Sequence, residues 1–161
     1  LPIYCAGSTG NQGCNGGLMD NAFKYIENNA LETEAEYGYT ARDGSCHYVA
    51  SKGEGKVKAF VDVPHTADQL RAAIAKQPVS VAIEADQMAF QSYTSGVITS
   101  GCGQQLDHGV LAVGYGTLNG TPYFLVKNSW GASWGDQGYV RIGATSANTC
   151  GILSAASYPT E

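Results

Sequence analysis

Charge is scarce in this 161-residue chain: Asp, Glu, Lys and Arg make up 14% of it, against about 25% in an average domain. Nine Lys and Arg face fourteen Asp and Glu, for a net charge of −5, and no basic run occurs. Such a chain repels phosphate backbones and anionic headgroups, so neither nucleic acid nor a membrane is expected as a partner. No apolar run approaches the ~18 residues that span a bilayer. The opening Leu1-Pro2-Ile3-Tyr4-Cys5 has neither a basic segment followed by an apolar one nor an initiator Met. Leu1 is therefore read as a processing site or the edge of an incomplete sequence, with any targeting signal upstream of it. The chain also lacks a CxxC pair, and its three histidines, His47, His65 and His108, are scattered. A zinc cluster needs closely spaced ligands, so no metal and no cofactor is expected.

What is abundant is glycine (21) and tyrosine (10), a composition that suits a loop-rich, partly β protein rather than a disordered one. Five well-separated cysteines, Cys5, Cys14, Cys46, Cys102 and Cys150, read as a disulfide framework made in an oxidising compartment, with one member left over. Asn119-Gly120-Thr121 is an N-glycosylation pattern at an expected turn, and Pro122 directly after it counts against its use.

Periodicity divides the chain. The Gly10–Gly17 turn cluster opens onto Leu18-Met19, Ala22-Phe23 and Ile26, an i, i+3/i+4 stripe that predicts an amphipathic helix ending near Asn28-Asn29. Residues 30–56 have no sustained period and contain Gly38, Gly44, Gly53 and Gly55, which predicts loop with short strands. Thr66 can cap a helix carrying Leu70, Ala73 and Ile74, and Pro78 precedes the apolar run Val79–Ile83. Val97-Ile98, Val110–Val113, Tyr123–Val126 and Tyr139–Ile142 then predict strands of an antiparallel sheet or barrel. The reading is a helical and loop lobe over 1–56 and a β-rich lobe with a helix over 57–161.

Asp107-His108-Gly109 begins one predicted strand, and Lys127-Asn128-Ser129 ends the next, so a hairpin would bring His108 and Asn128 side by side. An imidazole serves as general base and then general acid when one nitrogen is held, and an Asn carboxamide oxygen can hold it without adding charge. Taken alone, a histidine at a strand start is more often structural than catalytic, and an Asn before Trp is more often a turn residue.

The pair gains specificity from its surroundings. Gly13-Cys14-Asn15-Gly16-Gly17, Asp107–Gly116 (DHGVLAVGYG), Val126–Gly135 (VKNSWGASWG) and Cys150-Gly151-Ile152 stand together in the order and spacing of the papain-like cysteine proteases. From Cys5 onward the chain resembles that family, and the segments around Leu18-Met19-Asp20 and Ala155-Ala156-Ser157-Tyr158-Pro159 are similar to its cathepsin L-like branch.

The resemblance implies an α+β, papain-like two-lobe fold, N-terminally incomplete, and a Cys-His-Asn endopeptidase site. His108 would pair with the thiolate and protonate the leaving amine, and Asn128 would orient it. Trp130 would shield their hydrogen bond and Trp134 would line the leaving-group side. Plain core packing is the competing reading of both tryptophans. Gly16 and Gly17 would hydrogen-bond an extended substrate backbone, or simply form a turn. Leu18, Met19, Ala82, Leu106 and Ala155 map onto the pocket for the second residue before the scissile bond, although Leu18 and Met19 also read as helix core. Asp107 is carried over with them as a substrate-binding residue. Cys5 would pair with Cys46 and Cys102 with Cys150, leaving Cys14 unpaired here.

The family's nucleophile lies in a C-G-[SA]-C-[WY] motif, with His and Asn ~130–150 residues downstream. No such motif occurs here, and counting back from His108 lands roughly 20 to 40 residues before Leu1, with the count from Asn128 also falling before it. The nucleophile and the oxyanion-hole Gln are therefore expected upstream, and the chain alone is expected to be inactive. Two more departures are Pro2, where the family runs a helix toward Cys5, and Gly38 in place of a Pro. Residues 1–4 are read as a junction rather than a natural continuation. A catalytically silent binding homologue and a silicatein-like Ser-for-Cys relative are the alternatives. Expected partners are peptide and protein substrates, a propeptide and cystatin-type inhibitors, in a lysosomal, endosomal or vacuolar compartment or outside the cell.

Overall fold

The computed structural model describes residues 5–161, and the expectations for Pro2 and residues 1–4 lie outside the described residues. The chain forms two compact units, one running to Val61 and including Pro159–Glu161, the other Asp62–Tyr158.

The first unit is short on regular structure, as its glycines require. Among its described residues the α-helix is α1, which spans Met19–Asn28 and buries Tyr25 and Ile26 on the face that the i, i+3/i+4 stripe marks. These two residues form a small core with Cys5 and Ala6, against which Phe23, Leu31, Tyr37, Tyr48 and Val57 pack. Asn11 Oδ1 accepts from the Leu18 N–H just before the helix, and Asn29 Nδ2 donates to Tyr25 O at its end. The loop after α1 is closed by a bridge between Leu31 and Gly55 and by the Cys5–Cys46 disulfide, with Cα atoms 5.0 Å apart. A core this small gains from such a cross-link, which removes freedom from the unfolded chain.

The second unit is organised by a sheet. The strands of the chain are β1 (Ala59–Asp62), β2 (Val79–Ile83), β3 (His108–Leu118), β4 (Thr121–Lys127), β5 (Tyr139–Gly143) and β6 (Ala156–Thr160), in the order β1-β6-β2-β3-β4-β5, with β1 up to Val61 and β6 from Pro159 counted in the first unit. β6-β2, β2-β3, β3-β4 and β4-β5 pair antiparallel. In β2, Val79, Val81 and Ile83 are fully buried while Ser80 and Ala82 are not, the period-2 pattern of a strand with one face in the core. The core also takes Leu70 and Ile74 from α2 (Ala67–Ile74), and Phe124, Val126, Val140 and Ile142 from β4 and β5. Thr66 caps α2 by accepting from the Gln69 N–H at 3.3 Å.

β3 and β4 are joined by Asn119-Gly120, whose φ angles are +48° and +81°. Two left-handed residues make the type I′ turn whose twist matches antiparallel strands, and Asn-Gly is the pair that tolerates it. The register runs from Leu118 opposite Thr121 to Leu111 opposite Lys127, with an irregularity between Ala112 and Gly114.

Two expectations are corrected. Val97-Ile98 is no strand: Ile98 alone makes a parallel bridge to Ile142, because Gly96 and Gly101, with φ of +83° and +87°, turn the chain on either side. A single helical turn, α3 (Met88–Gln91), lies where no helix was expected, and its Phe90 is fully buried.

Candidate functional site

β3 begins at His108 and β4 ends at Lys127, so the residue after β4 returns to the level where β3 starts. Asn128 is held there by its own N–H, which donates to Gly138 O at 2.9 Å, and it is buried to 7% exposure. His108 Nε2 lies 2.8 Å from Asn128 Oδ1. The Ser129 N–H donates to the same oxygen at 2.8 Å, which identifies that atom as the acceptor. The shared proton therefore sits on Nε2, and the neutral ring keeps its lone pair on Nδ1. Asn128 Nδ2 is buried without a partner among the described residues, whose hydrogen bonds hold the amide through its oxygen.

An aromatic cluster packs against His108. Trp130 stacks on His108 with ring centroids 5.2 Å apart, and Phe90 meets Trp130 edge-on at 5.4 Å. Trp134 packs on Phe90 at 5.0 Å and donates its Nε1–H to Gln91 O at 2.9 Å. Trp134 packs against the core, as the core-packing reading expects, and its ring lies 5.2 Å from that of Trp130. Trp130 keeps 41% of its surface exposed.

Ala82, Leu106, Asp107 and Ala155 gather in the same unit. The Ala82 N–H donates to Ala155 O at 2.8 Å, Asp107 Oδ1 accepts from the Ala85 N–H at 2.8 Å, and Leu106 lies against Gly151. Gly16, Gly17, Leu18 and Met19 belong to the first unit. Gly16 is exposed with φ +98°, and Leu18 is 65% exposed, which rules out its reading as helix core. Met19 is half-buried.

Cys102 pairs with Cys150, Cα atoms 4.9 Å apart, so both disulfides are the pairs that the resemblance implied. Cys14 is the free cysteine and is exposed. A hydrogen bond to the Asp43 carboxylate, then slight burial and the charge of Asp43, push its thiol above the ordinary value. That is the reverse of what activates a nucleophilic thiol. Among the described residues no group of three or more His, Cys, Asp or Glu could hold a metal, and no described helix is long and apolar enough to cross a membrane.

Phe90 is the contributor that sequence reasoning missed. One helical turn has no periodicity to read, and the only signal was an aromatic residue a short way beyond β2.

A model of the papain family of cysteine proteases matches residues 2–160. The chain is 49% identical over 164 residues to cathepsin L of Sarcophaga peregrina and 48% identical over 155 residues to cysteine proteinase RD21A of Arabidopsis thaliana. These alignments cover 98% and 92% of this chain but 48% and 34% of the relatives, so the chain spans about a third to a half of their length. The structure matches that of the digestive procathepsin L 3 of the Tenebrio molitor larval midgut with a TM-score of 0.92 and 41% identity, over 99% of this chain and 53% of that one.

Proposed function

The chain belongs to the papain family of cysteine proteases, and from that premise we propose that it supplies the general base and part of the substrate surface of a cysteine endopeptidase. The nucleophilic cysteine lies outside these 161 residues. The observation that carries this reading is the 2.8 Å contact between His108 Nε2 and Asn128 Oδ1, which leaves Nδ1 ready to take a proton.

In the reaction, Nδ1 of His108 accepts the thiol proton, and the resulting thiolate attacks the peptide carbonyl carbon. The tetrahedral intermediate collapses as His108 returns the proton to the leaving amine, and a thioester remains. Water, deprotonated by His108, hydrolyses that thioester and restores the thiol. Asn128 keeps the ring in one tautomer throughout, and Trp130 keeps solvent from their hydrogen bond. Trp134 lines the leaving-group side. Gly16 and Gly17 bind the substrate main chain, while Leu18, Met19, Ala82, Leu106, Asp107 and Ala155 contribute substrate contacts, each from its own unit. Cys14 is a poor candidate nucleophile because its hydrogen bond to Asp43 shifts its thiol upward, away from the thiolate that attacks. Peptides and proteins are the substrates, a propeptide and cystatin-type inhibitors the further partners. Two disulfides support a lysosomal, vacuolar or extracellular setting.

The test is to assay the 161-residue chain on a Phe-Arg reporter peptide, with and without a thiol-directed epoxide, and to repeat it on a protein extended upstream through a cysteine-bearing segment. Epoxide-sensitive cleavage by the extended protein alone, lost on His108→Ala, supports the reading. Cleavage by the short chain that Cys14→Ser abolishes overturns it, as does an inert extended protein.

A further inference from the structure

The peptide-cleaving machinery leaves two buried acids unused, Glu32 and Glu84, and Glu84 is the one that holds the chain leading into β3. Glu84 follows the last residue of β2 and is 6% exposed. A carboxylate so far from water must have its oxygens satisfied. Oε2 has a main-chain donor: the Gln105 N–H gives it a hydrogen bond at 2.6 Å. The same carboxylate fills the space over Gly103, where a Cβ would come within 2.6 Å of Oε2. Residues 103–107 are therefore moulded round Glu84, and glycine at 103 is a condition of the close approach.

The rest of that loop is fastened at its ends. The Cys102–Cys150 disulfide holds its start, and the Glu84 N–H donates to Cys150 O at 2.8 Å. At the far end the Asp107 N–H donates to Ile83 O at 3.0 Å, and Asp107 Oδ1 takes the Ala85 N–H at 2.8 Å. Between the ends, Glu84 grips the residue next to Leu106. Leu106 in turn lies against Gly151, and the two residues after it lead into β3 at His108.

We propose that Glu84 is a positioning residue: its buried carboxylate, through the Gln105 N–H, sets the 103–107 loop and with it the place of Leu106 relative to Ala82 and Ala155. The effect on substrate selection rests on the peptidase reading above; the effect on the loop does not. Glu84 acts without touching substrate, so its loss changes which side chain is accepted more than whether a peptide is cut.

Two measurements on Glu84→Ala, Glu84→Gln and Glu84→Asp test this. The first is hydrogen exchange of the Gln105 amide in the full chain. It rises about tenfold or more in the Ala and Asp variants, because neither side chain reaches the N–H. It stays near the wild-type rate in the Gln variant, whose amide oxygen still accepts, and the β3 amides of Val110 and Ala112 do not change. The second is the ratio of kcat/KM for Phe against Val two residues before the cut, measured in the cysteine-bearing enzyme. It falls about threefold or more in Glu84→Ala, mainly through KM, and recovers in Glu84→Gln.

An unchanged Gln105 amide in the Ala and Asp variants overturns the proposal, as does exchange rising equally through β3. If the amide responds and the Phe/Val ratio does not, the selectivity role is overturned. If Glu84→Ala fails to fold, the contrast between Gln and Asp decides in the same way. An enzyme inert in every form, its Gln105 amide responding as stated, sinks the peptidase reading and leaves the loop assignment standing.

Discussion

The Trp130 indole lies over the His108 imidazole, ring centroids 5.2 Å apart and planes within 28°, on the ring whose Nε2–H reaches Asn128. A hydrogen bond competes with water wherever water can reach it, and the shielding role proposed for Trp130 is that its stacked indole limits that access. Phe90 braces Trp130 from the side, so the cover is itself held. Trp130→Ala is expected to lower kcat by about tenfold to a hundredfold with little change in KM, since it loosens the base rather than substrate binding. Trp130→Phe should lose only a few-fold, as a smaller ring still covers part of the bond. Steady-state kinetics on the cysteine-bearing enzyme checks this, and an unchanged kcat in the Ala variant would refute the shielding role.

The His108–Asn128 pair was legible because strong local signals agree. Runs of β-branched and aromatic residues mark β3 and β4, and Asn119-Gly120 has the turn chemistry that an antiparallel pair requires. The α1 stripe and the Thr66 cap were legible for the same reason: each repeats a pattern over several residues. Val97-Ile98 misled because two β-branched residues carry no information about the left-handed glycines near them, and the chain turns before a ladder can form. β1 (AFVD) and β6 (ASYPT) escaped notice because each mixes two strand-favouring residues with Ala, Asp, Ser or Pro over a run too short to show alternation, so pairing rather than pattern makes them strands. Phe90 and Glu84 belong to tertiary structure altogether. Nothing in a four-residue helical turn or a lone Glu after a strand says what will pack on it.

Cys14 offers a check on local electrostatics. Its thiol is raised above the ordinary value, first by the hydrogen bond to Asp43, then by slight burial and by the charge of Asp43. Raising the pKa shrinks the thiolate fraction at a given pH, and only the thiolate is alkylated. At pH 8 the folded chain should react with iodoacetamide more slowly than an unstructured cysteine peptide. Asp43→Asn removes the charge and the ionised acceptor, lowers the pKa, and should speed the reaction several-fold. The backbone bond from the Cys14 N–H to Asp43 Oδ1 at 2.8 Å can survive as an amide contact in that variant, so the loop should keep its form. A rate that does not rise in Asp43→Asn would show that Asp43 does not govern the thiol.

Substrate choice gives a prediction of a different kind. Ala82 and Ala155 are small, hydrogen-bonded through their main chains at 2.8 Å, and Leu106 nearby is apolar. If these residues line the pocket as proposed, a surface of that chemistry is expected to favour Phe or Leu two residues before the cut and to give no partner to a guanidinium. Ala155→Glu supplies a carboxylate, and the ratio of kcat/KM for Arg over Phe should rise by about tenfold or more. A peptide library decides the matter, and a native preference for Arg at that position would contradict the mapping of Ala155.

Asn148 tests how the loop region around the second disulfide is kept in shape. Its backbone is left-handed, at φ +52° and ψ +50°, which costs an ordinary residue about 1–2 kcal/mol. Its side chain offsets that strain, with Oδ1 accepting from the Leu153 N–H at 2.7 Å and Nδ2 donating to Ser154 Oγ at 2.8 Å and Gln104 Oε1 at 3.3 Å. Strain and hydrogen bonding can be separated by two substitutions. Asn148→Gly removes the side-chain bonds but accepts the positive φ freely, and should cost about 1–2 kcal/mol of unfolding free energy. Asn148→Ala loses the bonds and also bears the strain, so it should be about 1 kcal/mol less stable again. Urea midpoints with an unchanged m-value are the measurement. Because Gln104 sits at the start of the loop that Glu84 holds, both variants should also raise hydrogen exchange near Gln105, though by less than Glu84→Ala does. Equal stability of the Gly and Ala variants would mean that the left-handed turn stores no strain at Asn148, and that its side-chain bonds alone account for its contribution.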